Sequence, residues 1–546
     1  YYFIIKFVII LSLNYFNHLM TKNFLLPIEL NDKKKLIKKN LLKDLELLHT
    51  DTSKNGVYQN IFKPNDKYTN NILETFAQYY TTDKDFLNDT QILNKKYVKH
   101  TNDDEKIKNT IKIWDSIILD DDFLEKFQFI TWDPIKILNE YSLFLSAMTF
   151  YSISSPVLNL AAPIVMLIIP FFIIKIMGLP ITIPSYTNIL MKQLNRLSFM
   201  KLFTASDISI QARLYYLFCF GMYFYNIYQN IQSCISFYKN TKAINKNFEA
   251  IDSYFNYTLE KLDDYIDNIS ELKSYSKYKE YLETKKNNVE EFIKALKSTP
   301  RFSMNPINLF KSGITMKQYY LLYDRKHIDT LFQFTFDFHS YLIILKNFSD
   351  KVEKSIVSPA IFSNNEKPYI KFKNVIYPNI ENEFNIPNTI SIKNNQIITG
   401  PNASGKTTLL KAIIINLLLS QQTGYGFFEY AKFTPYDNIY CYLNIPDNCS
   451  RDSLFQAEAR RCYSILKDIE DKPDEKHFCV FDELFSGTNP YEAIASAKCY
   501  LEYISKNKNI TFLLTTHFDK LCKLLDKQDN IDNKHMSCEI IDNKPK

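Results

Sequence analysis

The chain has 546 residues, 46% of them apolar, and a net charge of only +6 from 66 basic and 60 acidic side chains. That length gives room for roughly three or four domains of about 150 residues, and a balance this even neither demands nor excludes nucleic acid, so any such face has to be a local patch. The nine cysteines form neither a C-x-x-C pair nor a Cys/His cluster at zinc spacing, which reads as reduced thiols in an intracellular protein, cytoplasmic or nuclear.

The opening YYFIIKFVIILSL contains no methionine and is interrupted by Lys6. Residues 1–19 read as translated leader ahead of Met20, the alternative being a signal-peptide core or an apolar anchor. Residues 20–130 form a polar helical region rich in Lys, Asp and Asn, with pieces such as LIKKNLLKDLELL.

Residues 131–240 are apolar and aromatic. Within them Ser154–Gly178 is nearly uncharged and of membrane-crossing length, and Leu214–Tyr228 is a shorter run. Pro156, Pro163 and Pro170 recur every seven residues, which argues against one continuous helix. Between the two runs lie Lys175, Lys192, Arg196, Lys201 and Arg213 against Asp207. A spanning hairpin would strand this basic stretch across a bilayer from the rest of the chain. The expectation is therefore that 154–178 is buried in a helical core or re-entrant, with membrane association the less favoured reading. The basic stretch also suits a phosphate backbone.

Residues 241–365 read as a helical core or lever. Ile244, Phe248, Ile251, Phe255, Leu259, Leu262, Ile266 and Ile269 recur at spacings of three and four and make one apolar stripe that needs a partner. The helical pattern ends at Ser358-Pro359, and residues 366–546 change to short strands and turns, a new domain. Five of the nine glycines, Gly400, Gly405, Gly424, Gly426 and Gly487, fall in this last third, where they mark backbone that approaches something closely or takes positive φ.

The segment QIITGPNASGKTTLL runs from an apolar strand into an apolar helix and contains Gly-x-x-x-x-Gly-Lys-Thr. In that context backbone N–H groups at a helix N-terminus cradle phosphates. The cradle comprises Gly400, Pro401, Asn402, Ala403, Ser404, Gly405, Lys406, Thr407 and Thr408. Lys406 would reach the β- and γ-phosphates of ATP, and Thr407 would offer its hydroxyl to Mg²⁺. HFCVFDE reads as a second strand ending in Asp482, a further Mg²⁺ ligand, and Glu483, which would polarise the attacking water. FLLTTHFDKL supplies a third strand ending at His517, placed to donate to the γ-phosphate and sense its loss.

These segments carry a family likeness. TGPNASGKTT, DELFSGTNPYEA and TTHFDKL, in this order, resemble the ATPase domain of the MutS family. DNCSRDSLFQAEARR resembles that family's signature loop, with Ser453, Phe455 and Glu458 filling its Ser-x-Phe-x-x-Glu pattern, and QTGYGFF resembles its Gln-containing segment. The resemblance implies an α/β P-loop ATPase domain of the ABC/MutS type, a mostly parallel sheet flanked by helices, preceded by a largely helical core. It implies ATP and Mg²⁺ at the site, double-stranded DNA as partner, and a dimer, with itself or with a related MutS-like chain, in which Ser453 closes over nucleotide held by the other subunit. Phe384 matches an aromatic position that stacks on adenine, and ordinary core burial is an equal alternative. The function implied is an ATP-driven clamp in DNA repair or recombination, the alternative being a membrane-associated MutS-like ATPase without a DNA substrate. The Phe-x-Glu module that mismatch-recognising members wedge into DNA is not found, so mismatch reading is not implied. The family's C-terminal helix-turn-helix is not found either, and the chain reads as cut short there.

Overall fold

The computed structural model describes residues 23–48, 56–97, 104–178, 180–194, 209–303, 305–324, 328–380, 385–402, 404–443, 453–537, 540–541 and 544–545. They form two compact units, one of residues 104–259 and 288–331, the other of residues up to 103, 260–287 and 332–546. The expected leader at 1–19 lies outside the described residues.

The first unit is helical. Its main elements are α1 (Ser142–Ile176), α2 (Ile183–Leu194), α3 (Ile210–Ile269, in this unit to residue 259), α4 (Ser276–Ser298, from residue 288) and α5 (Ser312–Asp324). Aromatic contacts tie it together. Phe123 stacks on Tyr323 with centroids 4.4 Å apart, and Phe255 of the apolar stripe meets Phe292 at 4.5 Å. α5 crosses α1 at Gly313, whose N–H donates to Ser146 Oγ at 3.0 Å. A Cβ at residue 313 would lie 1.8 Å from the Ser142 carbonyl, so only glycine permits the approach. α2 returns along the outer end of α1, where Tyr186 donates to the Leu167 carbonyl at 2.9 Å and faces Phe171.

Two expectations fail in this unit. α1 is one continuous helix through Pro156, Pro163 and Pro170. A spacing of seven keeps the prolines on one side of the helix, and the hydrogen bonds lost there do not end it. Nor is 154–178 buried. Val157, Leu158, Leu160, Phe172 and Ile176 are exposed, as are Leu214, Leu217 and Phe218 of α3.

The second unit is α/β. α6 (Asp329–Glu353, in this unit from residue 332) leads into it. Lys34–Leu36 (β1) and Tyr79–Thr81 (β2) form an antiparallel pair. The later strands are β3 (Ser358–Phe362), β4 (Ile370–Val375), β5 (Asn388–Ile392), β6 (Asn395–Thr399), β7 (Tyr425–Gly426), β8 (Tyr430–Phe433), β9 (Asn438–Tyr442), β10 (His477–Asp482), β11 (Ile510–Thr515) and β12 (Ile531–His535). A five-stranded parallel sheet has the order β12-β6-β11-β10-β9, and a second sheet has the order β5-β4-β8-β3-β7. Between and around them lie α7 (Lys406–Thr423), α8 (Leu454–Glu470), α9 (Pro490–Ile504) and α10 (Asp519–Leu525). α7 has no separate polar face and is buried nearly throughout, its polar Asn416, Gln421 and Gln422 included. The sheet begins at Ser358, where the sequence suggested a helix end.

Register fixes the site. Asp482 pairs with Thr515, and Thr515 with Ile398, so β10, β11 and β6 end together. Ligands of open parallel sheets gather at such carboxyl ends. The polar N-terminal stretch does not stand apart, because residues 23–97 belong to the same unit. Lys35 pairs with Glu475 at 2.8 Å, and Tyr80 donates to the Asp437 carbonyl at 2.7 Å. Gln422, in the Gln-containing segment, is buried and donates to the Tyr79 carbonyl at 2.7 Å, a structural bracket.

Asp337 on α6 is partly buried, and burial pushes its carboxyl up to about 7 against a weaker pull from the Gln333 amide. A raised folded-state pKa means that the stability gained from the protonated form is complete below pH 3.8 and lost as pH rises through 7. Asp337→Asn is therefore expected to stabilise the protein at pH 8 by on the order of 1–3 kcal/mol after discounting its solvent-facing side, and to have little effect at pH 4. Thermal melts at the two pH values check this.

Candidate functional site

β6 delivers the chain into the loop at Gly400, and α7 takes over at Lys406. Gly405 caps the helix with φ 87°, a left-handed value that a side chain would strain. The buried Lys406 ammonium is folded across the loop, donating to the Gly400 and Pro401 carbonyls at 2.9 Å each. The same reach would carry it to phosphate oxygens held in the loop. Pro401 and Asn402 are exposed at the loop crest, and Ala403 lies outside the described residues.

The centre of the site is one carboxylate. Thr407 Oγ1 donates to Asp482 Oδ2 at 2.7 Å, and Thr515 Oγ1 donates to Asp482 Oδ1. Both oxygens are thereby aimed, one by the first turn of α7 and one by the end of β11. A hydroxyl and a carboxylate side by side are hard oxygen donors that suit Mg²⁺, which takes few protein ligands and keeps water and phosphate oxygens for the rest of its shell. Among the described residues no group of three or more His, Cys, Asp or Glu forms a metal cage.

Glu483 follows in the left-handed region at φ 52°, and Phe485 does so at 60°. Non-glycine residues held there cost about 1–3 kcal/mol each, and such strain persists only where the surroundings enforce it. Here the Glu483 N–H donates to the Thr515 carbonyl at 3.0 Å, which turns the side chain out of the strand. His517 Nε2 lies 2.5 Å from Glu483 Oε1, and both side chains are partly open to solvent.

The loop beyond is braced from behind. The buried Glu458 of α8 accepts from Ser486 Oγ at 3.1 Å and from Gly487 N at 3.2 Å, while Phe455 packs on Phe485. Asn489 caps α9 by accepting from Tyr491 N and Glu492 N. Two of the three signature-pattern residues thus act within the subunit. The third, Ser453, is exposed and caps α8, accepting from Gln456 N at 3.3 Å.

Beside the loop opens a cavity of about 600 Å³ lined by Tyr377, Ile386, Gln396, Ser404, Thr408 and His535, among others. Phe384, the candidate for adenine, lies outside the described residues, but Asn385 and Ile386 next to it line this cavity. The structure thus joins Thr407 to Asp482 and Glu483 to His517. Sequence reasoning missed Thr515, whose only signal was a hydroxyl side chain two positions before His517, and it missed the bracing role of Glu458.

These features define the C-terminal part as an α/β domain with a phosphate-loop sequence and an acid pair at the end of one strand of its parallel sheet. Residues 396–545 match the family model MutS domain V. The DNA mismatch repair protein MutS of Streptococcus uberis is 30% identical over 156 residues, covering 28% of this chain and 18% of the relative. Those of Lactococcus lactis subsp. cremoris and Streptococcus agalactiae are each 28% identical, over 159 and 181 residues, covering 29% and 32% of this chain and 18% and 21% of the relatives. The likeness lies in the C-terminal part and spans about a fifth of each relative. The similarity to MutS proteins is therefore a similarity of this C-terminal domain.

Glu458→Ala strands the Gly487 N–H and the Ser486 hydroxyl. The expected cost is about 1–3 kcal/mol of stability, measured by denaturant unfolding, with faster amide exchange confined to residues 484–489. Unchanged exchange in that loop would contradict the bracing role.

Proposed function

We propose that the chain is a Mg²⁺-dependent ATP hydrolase with a P-loop ATPase domain of the ABC/MutS type, working as a dimeric clamp on double-stranded DNA in repair or recombination. The observation that carries the chemistry is the Thr407–Asp482–Thr515 arrangement with Glu483 and His517 beside it. Mg²⁺, when bound, supplies positive charge to the β- and γ-phosphate oxygens. Thr407 and Asp482 hold its place, and the loop N–H groups with Lys406 hold the phosphates. Glu483, turned out of its strand, orients the attacking water and takes its proton, and His517, which holds the Glu483 carboxylate before nucleotide binds, turns its N–H to the terminal phosphate once nucleotide is bound. The cavity beside Thr408 suits the nucleoside, with Phe384 as its stacking partner.

DNA rests on the relatives, which are DNA mismatch repair proteins by name, and the dimer on the resemblance of the segment around Ser453 to the MutS signature loop. In the dimer Ser453 reaches nucleotide held by the other copy, and its exposure leaves it free to do so. The test is ATP turnover compared with homoduplex, mismatched and branched DNA. Stimulation by any of them that falls steeply with salt supports the clamp. Turnover indifferent to all three favours the MutS-like ATPase without a DNA substrate.

Lys406→Ala is expected to abolish ATP binding, and Glu483→Gln to leave binding intact while lowering turnover about 100-fold or more. Equilibrium binding and single-turnover hydrolysis separate the two, and parental turnover by Glu483→Gln would remove its role. Mixing Lys406→Ala with Ser453→Arg protein is expected to restore at most one working site per dimer. Full activity of Ser453→Arg alone as a monomer would exclude a composite site.

A further inference from the structure

We infer that α1 and the first half of α3 form a hairpin that inserts into a lipid bilayer, a second partner independent of the proposed reading of the ATPase site. The two helices run antiparallel. Tyr223 donates to the Asn159 carbonyl at 3.0 Å, and Cys234 Sγ lies 3.5 Å from the Ile153 carbonyl, so chain number rises on one helix as it falls on the other. No charged side chain occurs between Glu140 and Lys175, and none between Arg213 and Lys239. A bilayer core takes about 20 helical residues, and both stretches exceed that.

These helices are exposed rather than buried. Phe172 is 62% exposed, Ile176 83%, Leu214 63% and Phe218 65%. Ser142–Ala161 has the length and hydropathy of a membrane-crossing helix and is only 22% buried, unlike the core helix of a soluble protein. From Val157 to Phe172 the exposed apolar positions cover roughly half the helix circumference at about 100° per residue. A single partner helix meets a narrower stripe, whereas acyl chains cover any width.

Three further features favour lipid over a protein groove. Prolines inside a long helix are costly in water but frequent in bilayer helices, where neighbouring groups satisfy the freed carbonyls. Trp132 and Tyr141 are exposed at the base of the hairpin, where amphipathic rings sit at a membrane interface. The charge pattern also complements a bilayer. In sequence, Lys126, Lys136, Lys239, Lys242 and Lys246 lie outside the two apolar stretches, while Lys175, Lys192, Arg196, Lys201 and Arg213 lie between them, so basic residues border the stretches on both sides for phosphate headgroups. In sequence the segment between the stretches does not outweigh the flanks in Lys and Arg, so the charge objection to a hairpin, which weighs that segment alone, loses its asymmetry.

The test is flotation of the full chain, purified in detergent and exchanged into phosphatidylcholine–phosphatidylglycerol vesicles. The expected result is that it floats with the vesicles through high salt and carbonate. A variant with Leu158→Lys, Phe172→Lys, Leu214→Lys and Phe218→Lys is expected to float about tenfold less or worse. Its ATP turnover should match that of the parent in detergent, which separates lost insertion from lost folding. The inference is overturned if the parent chain remains at the bottom of the gradient and is monodisperse without detergent, whether as a monomer or with a second copy covering the apolar helices. It is equally overturned if salt or carbonate strips the parent from the vesicles. Because flotation needs neither ATP nor DNA, its failure would leave the proposed ATPase function standing.

Discussion

Everything at the strand ends depends on the Asp482 carboxylate being held from two sides. Thr407 approaches from the helix after the phosphate loop and Thr515 from the neighbouring strand, one to each oxygen. An unconstrained aspartate would rotate, and a divalent ion would meet an averaged ligand rather than a fixed one. Fixing it requires β6, β10 and β11 to end in register, and the paired residues show that they do. The apolar surround of these strands, Phe481, Phe512, Leu514 and Ile397 among it, is the physical means by which that register is kept.

The strain after Asp482 follows from the same requirement. To turn Glu483 out of the strand toward the site, the chain takes a left-handed residue, and Phe485 takes another two positions on. The cost is offset by Glu458 and Phe455 of α8, which grip the loop from its far side. α8 begins at Ser453, so the helix that braces the acid loop is also the one whose N-terminus faces solvent. Ser453 lies little more than one turn of helix from Glu458, so one helix joins an exposed cap to the brace of the acid loop.

The sequence made the site legible and left most of the fold hidden. Lys406, Thr407, Asp482, Glu483 and His517 stood out as candidates because phosphate and metal chemistry restricts residue type at fixed spacing, and the structure brings Thr407 to Asp482 and Glu483 to His517. Thr515 and Glu458 were not assigned their roles, because a hydroxyl and a carboxylate aimed at other protein groups look like ordinary polar residues until the strands are aligned. The junction of residues 23–97 with the C-terminal α/β domain rests on contacts such as Tyr80 to Asp437, 357 positions apart, and no local pattern announces these. The apolar stripe of α3 was read correctly, and all of its residues but the half-buried Leu259 are buried. The error over Ser154–Gly178 had a physical origin. Prolines were weighed as helix breakers, whereas at a spacing of seven they fall on one side of α1, which stays continuous.

The central claim is that Asp482, fixed by two threonines, makes the site a magnesium–nucleotide site. Titration of ATP into the full chain with and without Mg²⁺ tests it most directly when the parent and Asp482→Asn are compared. The account predicts that Mg²⁺ tightens ATP binding in the parent by about tenfold or more, and that Asp482→Asn binds ATP with the same affinity in either condition while keeping its fold. An Asp482→Asn protein that retained the full Mg²⁺ dependence would contradict it.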